Sequence, residues 1–388
     1  MRNRALLVVI CSRLISMAWA QVSTGPEETP QIKIQAQIPS LRESLSPYFL
    51  VGAAIRLADI SGPHSELLKK HFNSITAENA MKWGSLEPSP GQLDFTVADA
   101  LVKFAKANGM RVRGHNLVWH KQVPAWVFQD KDGIDLPPTA ESKVLLLHRL
   151  EKHVREVVTH FKGQVYAWDV VNEPIDSTEP DGFRRSRWFE LTGAEYIDTA
   201  FRVAHEVDPG AKLYLNEYDT TDPIKRAFLL KLVRDLRARG IPLDGVGHQM
   251  HSNIAIPSGE VITETIRMFS QLGIDNQITE LDMSLYTDPK ERDLGVLKPL
   301  LISQGYRYGE FFRVFRELKG DISSVTFWGI ADDHTWLSNH PIRREDFPLL
   351  FDRELKAKYA YWGIVDPSRM PKMPPTRSRV RSRSASMH

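Results

Sequence analysis

Short apolar runs alternate with stretches of helical periodicity along most of this 388-residue chain. The runs have the length and composition of buried strands. Eight can be identified, at residues 49–54, 72–77, 112–119, 165–171, 212–215, 245–249, 277–282 and 324–330. Strands that alternate with helices favour a parallel sheet, because each crossover between parallel strands is long enough to hold a helix. Eight such units over roughly 320 residues predict an α/β fold with a single catalytic domain, a (β/α)8 TIM barrel.

The gaps between the runs carry apolar residues at steps of three and four. Leu229, Leu232 and Leu236 follow this spacing, and Gly240 is a typical helix stop. The main alternative is an open doubly wound sheet. That fold needs a glycine-rich phosphate turn after a strand, and the sequence has none.

Charge is distributed unevenly along the chain, although the net charge is only +2. Residues 1–20 and 367–388 hold several basic residues and no acidic ones, so the rest of the chain is net acidic. An acidic body argues against a nucleic-acid partner, which would require a basic main surface. No run after the first 20 residues is long enough to cross a membrane, so stable membrane association is not expected.

The N-terminus has the pattern of a secretory signal. A short basic start is followed by an apolar stretch, and Ala18-Trp19-Ala20 fits a small-x-small cleavage site. An uncleaved N-terminal anchor is the alternative. Cys11 is the one cysteine, so the mature chain would have neither a disulfide nor a catalytic thiol. We expect a secreted protein, extracellular or periplasmic. The predicted division is a signal peptide at 1–20, a leader at 21–44, the catalytic domain at 45–366 and a basic disordered tail at 367–388.

Polar and aromatic residues gather where the eight runs end, and two runs end at or near a glutamate, Glu173 and Glu280. The carboxyl ends of barrel strands are where catalytic groups lie. Amides, carboxylates and indoles together suit a sugar, because hydroxyls need paired donors and acceptors while sugar faces pack on flat rings. Two carboxylates are the minimum needed to cleave a glycosidic bond. Glu217 also ends a run, so the local pattern leaves open whether it replaces Glu173.

Other catalytic chemistries have weaker support. His248 and His251 form a His-x-x-His pair, but the His-Glu-x-x-His helix of zinc proteases does not occur, so neither a metal nor another cofactor is expected. The Gly-x-Ser-x-Gly elbow of serine hydrolases is also missing from the sequence. Carboxylate chemistry is therefore favoured.

The motifs at the strand ends resemble those of glycoside hydrolase family 10 endo-β-1,4-xylanases. The resemblance covers about residues 50–364. The motifs are Glu78-Asn79-x-x-Lys82-Trp83, Gly114-His115-x-x-x-Trp119-His120, Trp168-Asp169-Val170-Val171-Asn172-Glu173, Gln249-x-His251, Thr279-Glu280-Leu281-Asp282, and the stretch from Trp328 to Trp336.

The resemblance implies a retaining mechanism, with Glu173 as the acid/base and Glu280 as the nucleophile. The two carboxyls should then lie about 5–5.5 Å apart, and the site has to keep one protonated and the other ionised. By the same resemblance, His251 hydrogen-bonds Glu280 and is held by Asp282. Asn172 would contact the 2-hydroxyl of the sugar at the cleavage point.

The resemblance also assigns substrate-binding residues, among which Lys82 and Trp336 should crowd a hydroxymethyl group and so favour xylose. The full predicted set is Glu78, Asn79, Lys82, His115, Trp119, Gln249, Trp328, Trp336 and Tyr218. The expected activity is hydrolysis of internal β-1,4 bonds of xylan by a monomer. The alternatives are another retaining β-1,4-glycanase, similar to a cellulase, or an inactive polysaccharide-binding barrel, which should have lost a carboxylate.

Overall fold

A computed structural model of the protein describes residues 33–373. The predicted signal peptide, the first part of the predicted leader and residues 374–388 of the predicted tail lie outside the described residues. Within residues 33–373, no helix is long and apolar enough to cross a membrane.

Eight parallel strands within this range form a closed barrel. They are β1 Leu50–Ile55, β2 Ser74–Ala77, β3 Arg111–Val118, β4 Val165–Asn172, β5 Lys212–Glu217, β6 Gly245–His248, β7 Asp275–Ser284 and β8 Ile322–Phe327. Each strand pairs with the next, and β8 pairs with β1 to close the ring. Every predicted run overlaps one of these strands, so the prediction of a TIM barrel is confirmed. A further strand of three residues, His251–Asn253, was not predicted from the sequence and pairs with the end of β7.

Helices surround the barrel. Their bounds are α1 Leu41–Leu45, α2 Gly62–His71, α3 Trp83–Leu86, α4 Thr96–Ala107, α5 Ala140–His160, α6 Arg187–Thr192, α7 Glu195–Val207, α8 Pro223–Ala238, α9 Gly259–Ser270, α10 Leu297–Glu317 and α11 Tyr359–Val365. Helix α8 shows how the sequence sets such bounds. The Asp222 side chain caps its first turn, Pro223 occupies the first position, and Gly240 at φ +68° follows its end.

The interior of the barrel holds an ionic network beneath the strand ends. Arg113 donates two hydrogen bonds to Asp169, one of them 2.6 Å long, and its Nε donates to Gln277 at 2.8 Å. Nδ1 of His115 lies 2.8 Å from Asp169. Because Arg113 and Asp169 are almost completely buried, each charge depends on its partners. The network therefore fixes β3, β4 and β7 relative to one another.

Both ends of the described chain contact the barrel. Leu41 and Leu45 of α1 are completely buried, so the folded body begins inside the stretch predicted as a leader. At the other end, the Tyr306 hydroxyl donates to the Pro371 carbonyl at 3.0 Å, and Arg369 lies 3.7 Å from the ring centre of Trp362. The first residues of the predicted tail thus lie against α10 and α11.

Candidate active site

A cleft of about 570 Å³ opens at the carboxyl ends of the strands. All the predicted site residues line it except Asp282, which is fully buried behind His251. The predicted residues in the lining are Glu78, Asn79, Lys82, His115, Trp119, Asn172, Glu173, Tyr218, Gln249, His251, Glu280, Trp328 and Trp336.

Glu173 follows the last residue of β4 and has an unusual backbone. Its φ is +55°, in the left-handed region that residues with side chains seldom adopt. Its amide N–H donates to the Asn216 carbonyl at 2.8 Å, which holds this turn against β5. Its side chain is 8% exposed, and Oε1 accepts hydrogen bonds from Gln249 at 3.1 Å and from Asn172 at 3.2 Å. The carboxyl therefore projects into the cleft from a fixed backbone.

The pKa of Glu173 is lower than that of an ordinary glutamate. Burial acts to raise this pKa, but the nearby indole N–H of Trp119, the hydrogen bond from Gln249 and the charge of His120 together outweigh it. The Trp119 contact is electrostatic, because the indole N–H is not aligned as a hydrogen bond. The free site thus favours the ionised form, opposite to the state an acid needs. A bound sugar would displace water and add desolvation, which raises the pKa.

Glu280 lies within β7 and is 5% exposed. Its Oε1 accepts a hydrogen bond from Asn216 at 2.7 Å, and its Oε2 lies 3.2 Å from Nε2 of His251. Thr279 donates to the amide oxygen of Asn216 at 2.6 Å, which fixes the orientation of that amide.

Two asparagine side chains connect the two glutamates. Asn216 donates to Asn172 at 2.7 Å as well as to Glu280, and Asn172 donates to Glu173. The amide bridge sets the separation of the carboxyls through rigid strand ends. No motif in the sequence assigned Asn216 to the nucleophile.

His251 carries a positive charge at neutral pH. Burial acts to lower its pKa, but Asp282 and Glu280 raise it to about 10. Nδ1 lies 3.0 Å from Asp282, although the geometry does not meet that of a hydrogen bond, so this contact is an ion pair. The Trp336 indole donates to the same Asp282 carboxylate at 2.8 Å. The cation thus lies between the carboxylates of Glu280 and Asp282.

Another group of predicted residues lies at the end of the cleft formed by the loop after β2. Lys82 donates to Asn79 at 3.0 Å, and its ammonium is 4.9 Å from the ring centre of Trp119. Burial lowers the pKa of Lys82, although Glu280 and Glu78 oppose the effect. An ammonium, an amide and an indole together can bind the hydroxyls and the face of a sugar ring.

Glu217 does not reach the cleft. It is completely buried, and its carboxylate lies 2.9 Å from Lys225 while accepting backbone hydrogen bonds from Ile175 and Tyr218. Burial raises the pKa of Glu217 to about 7, in spite of Lys225. Glu173 is therefore the glutamate that shares a cleft with Glu280, and Glu217 is not part of its lining.

The two histidines of the His-x-x-His pair face different surroundings. His248 is fully buried, with its ring nitrogens 2.8 Å from Thr220 and 3.0 Å from Asn276. Among residues 33–373, no group of three or more His, Cys, Asp or Glu side chains is arranged to hold a metal ion.

Several lining residues were not predicted. Arg184, from the loop after β4, contacts Tyr218 and the backbone of Glu173, and Asp219, Lys121 and His340 also line the cleft. These residues lie in loops with no strand or helix periodicity. Only a motif that includes the loop could have identified them.

The fold and the site together define a class of protein. A (β/α)8 barrel whose strand ends present two glutamates to one cleft, among amides and indoles, is a two-carboxylate glycoside hydrolase. Comparison with known proteins then gives the family. The chain belongs to glycosyl hydrolase family 10, whose model matches residues 40–367.

One relative and two solved structures show how similar this chain is to known proteins. A "thermostable celloxylanase" of Thermoclostridium stercorarium is 47% identical, over 86% of this chain and 88% of its own. The crystal structure of xylanase B from Clostridium stercorarium F9 is also 47% identical, with a TM-score of 0.83 over 85% of this chain and all of that one. An intracellular xylanase of Thermoanaerobacterium saccharolyticum, solved as a glutamate-to-alanine mutant with xylotetraose, is 38% identical, with a TM-score of 0.78 over 86% of this chain and all of that one.

Proposed function

We propose that the protein is a retaining endo-β-1,4-xylanase that hydrolyses internal bonds of xylan. The observation that carries this proposal is the pairing of Glu173 and Glu280 in one cleft, bridged by the amides of Asn172 and Asn216. The relatives named as xylanases support the choice of polymer.

In the first step, Glu280 attacks the anomeric carbon while Glu173 gives its proton to the departing sugar oxygen. His251 and Asn216 each contact one carboxylate oxygen of Glu280, so the attacking group is oriented before substrate binds. The product of this step is a glycosyl ester on Glu280. Glu173 is left ionised, as its lowered pKa favours.

In the second step, water attacks the ester and Glu173 takes its proton. Loss of the negative charge on Glu280 during the ester's lifetime removes a repulsion that would oppose the ionised form of Glu173. The same carboxyl therefore serves as acid and then as base, and the sugar keeps its β configuration.

Lys82 and Trp336 support xylan over cellulose as the substrate. Both line the cleft, and the family resemblance implies that they crowd the extra hydroxymethyl group of a glucose unit. A cellulase-like glycanase is the second candidate, and one relative is named a celloxylanase. Comparing the reducing sugar released from xylan and from soluble cellulose separates the two.

The test of the proposal is proton NMR of the first product anomer released from xylan. We expect the β-anomer first, because two displacements at one carbon restore its configuration. A Glu280→Ala variant should release no sugar while still binding xylan in calorimetry. An initial α-anomer would refute retention. Wild-type protein that binds xylan without releasing sugar would instead support an inactive binding barrel.

We also propose that the protein is secreted and acts as a monomer. The basic start and the Ala18-Trp19-Ala20 site support export. Family membership does not decide location, because one similar structure is described as an intracellular xylanase. N-terminal sequencing of protein from the culture medium or periplasm should begin near residue 21, and equilibrium sedimentation should give the mass of one chain.

A further inference from the structure

Arg184 joins the segment after β4 to the residue after β5. Its Nε donates to the carbonyl oxygen of Glu173 at 2.9 Å. One terminal nitrogen donates to the carbonyl of Ile175 at 3.0 Å and to the hydroxyl of Tyr218 at 2.8 Å. The planar guanidinium thus makes three hydrogen bonds around the glutamate without contacting its carboxyl.

The residue that Arg184 holds is in a costly conformation. A non-glycine residue seldom adopts a φ of +55°, because this backbone conformation is strained, and it persists only where the surroundings fix it. The Asn216 carbonyl fixes the N–H of Glu173, and Arg184 fixes its carbonyl oxygen. Both peptide groups that flank the side chain of Glu173 are therefore held.

The chemistry of the arginine side chain matters to this role. Its fork of N–H groups has a fixed geometry that matches several acceptors at once, whereas a lysine offers one rotatable point charge. The next residue, Arg185, carries the same charge but makes different contacts. It lies 3.0 Å from Asp181 and 3.3 Å from Glu179, 38% of its side chain is exposed, and it does not line the cleft.

We propose that Arg184 is a positioning residue that aims the carboxyl of Glu173 at the leaving oxygen. This inference rests on the proposed function, and it adds a residue outside the family motifs that the sequence displays. Arg184 acts through the backbone of Glu173, so its loss should impair proton transfer specifically.

The reaction provides a way to isolate proton transfer. When Glu280 attacks, the bond between the anomeric carbon and the leaving oxygen breaks, and its electron pair goes to that oxygen. A sugar or phenol oxygen must then take the proton from Glu173. A dinitrophenolate is a stable anion and leaves without the proton. A misplaced Glu173 therefore slows the release of a sugar or a phenol and leaves the release of dinitrophenolate nearly unchanged.

The experiment measures kcat/KM of Arg184→Met and Arg184→Lys on aryl xylobiosides from dinitrophenyl to phenyl, and on xylan. For phenyl xylobioside and xylan we expect a loss of about 10²-fold, the cost of a carboxyl misplaced by about 1 Å. For dinitrophenyl xylobioside we expect values within about threefold of wild type, because no acid is needed. Azide, a nucleophile that needs no base, should raise the variants' kcat on that substrate.

Arg185→Met is the matched control, since it removes an arginine of the same loop that touches neither Glu173 nor the cleft. It should behave as wild type on every substrate, and thermal unfolding should show that all variants are folded. If Arg184→Met does not fold, Arg184→Lys answers the question. An equal loss on all leaving groups, or no loss, would overturn the proposal. Failure of the proposed function itself would appear separately, as wild-type protein inactive on xylan and on xylobiosides.

Discussion

Glu173 and Glu217 begin from the same local sequence and end in opposite environments. Each follows an asparagine at the end of a strand, and Asn172 and Asn216 are register partners across β4 and β5. Glu173 lines the cleft with its carboxyl hydrogen-bonded to two amides. Glu217 is sealed against Lys225.

The difference arises in one backbone angle. Glu217 continues β5, pairing with His248, so its side chain alternates to the face opposite Asn216 and meets α8. Glu173 leaves β4 at φ +55°, which keeps its side chain on the cleft side with Asn172. The backbone conformation after the strand therefore decides which glutamate faces the cleft, and the shared Asn-Glu sequence does not.

The largest expected effect distinguishes the two residues by rate. Glu173→Ala should lower kcat/KM on xylan by about 10²- to 10⁴-fold, because general acid–base catalysis is lost. Its unfolding midpoint should stay close to that of wild type, since the contact of the carboxylate with His120 is long, at 3.9 Å. Steady-state kinetics with xylan and a thermal melt check both parts. Full activity in this variant would show that the reaction does not need Glu173.

Glu217→Gln should lower the stability of the protein and leave its activity nearly unchanged. At pH 8, above the pKa of about 7, Glu217 is ionised, and removing its charge leaves the buried Lys225 without its carboxylate partner, beside only the ring of Tyr218. We expect a loss of about 3–5 kcal/mol in the free energy of unfolding, measured by denaturant titration.

The activity of the folded Glu217→Gln variant should remain within a few-fold of wild type. Glu264→Gln is the control for charge removal. Glu264 pairs with Arg226, but its side chain is half-exposed, so the pair should contribute less than about 1 kcal/mol to the free energy of unfolding. A large rate loss with unchanged stability would place Glu217 in the reaction.

The last expected effect is a dependence of stability on pH, and it concerns Glu280 through its partner His251. The pKa of His251 is about 10 in the folded protein, above its ordinary value of 6.5. Between these two pH values the folded protein therefore holds a proton on His251 that the unfolded chain has released. The resulting stabilisation is complete below pH 6.5 and is lost as pH rises to 10, by at most roughly 1.4 kcal/mol per pH unit.

Denaturant titrations of wild type and His251→Gln from pH 6 to 10 check this linkage. The advantage of the wild type should shrink steadily as pH rises. Parallel curves would show that His251 is not held as a cation, and that Glu280 depends on Asn216 alone.

Most of the fold could be predicted because parallel strands covered by helices are apolar on both faces. The runs at 165–171 and 277–282 stand out for this reason, and both contain strands. The boundaries were less certain where polar residues continue a strand. Strand β7 extends to Ser284 because its last residues pair with the short strand His251–Asn253.

The site was only partly predictable, because its contacts depend on strand register and loop conformation. Motif spacing identified Glu173, Glu280 and His251, which lie together. It did not reveal that Asn216 links two carboxylates or that Arg184 holds a backbone carbonyl. The spacing of apolar residues predicts which face of a helix or strand is buried. It does not predict the hydrogen-bond partners of a polar side chain.

Trp336 is both a wall of the cleft and a donor to the carboxylate that faces His251. Under the proposed function, this one side chain would affect both substrate choice and turnover, so the two could not be altered independently. An engineer who shortens Trp336 to admit bulkier polymers also removes a support two contacts away from the reacting atom. Broader specificity at this position should therefore come with slower turnover, unless the hydrogen bond from the indole N–H to Asp282 is kept.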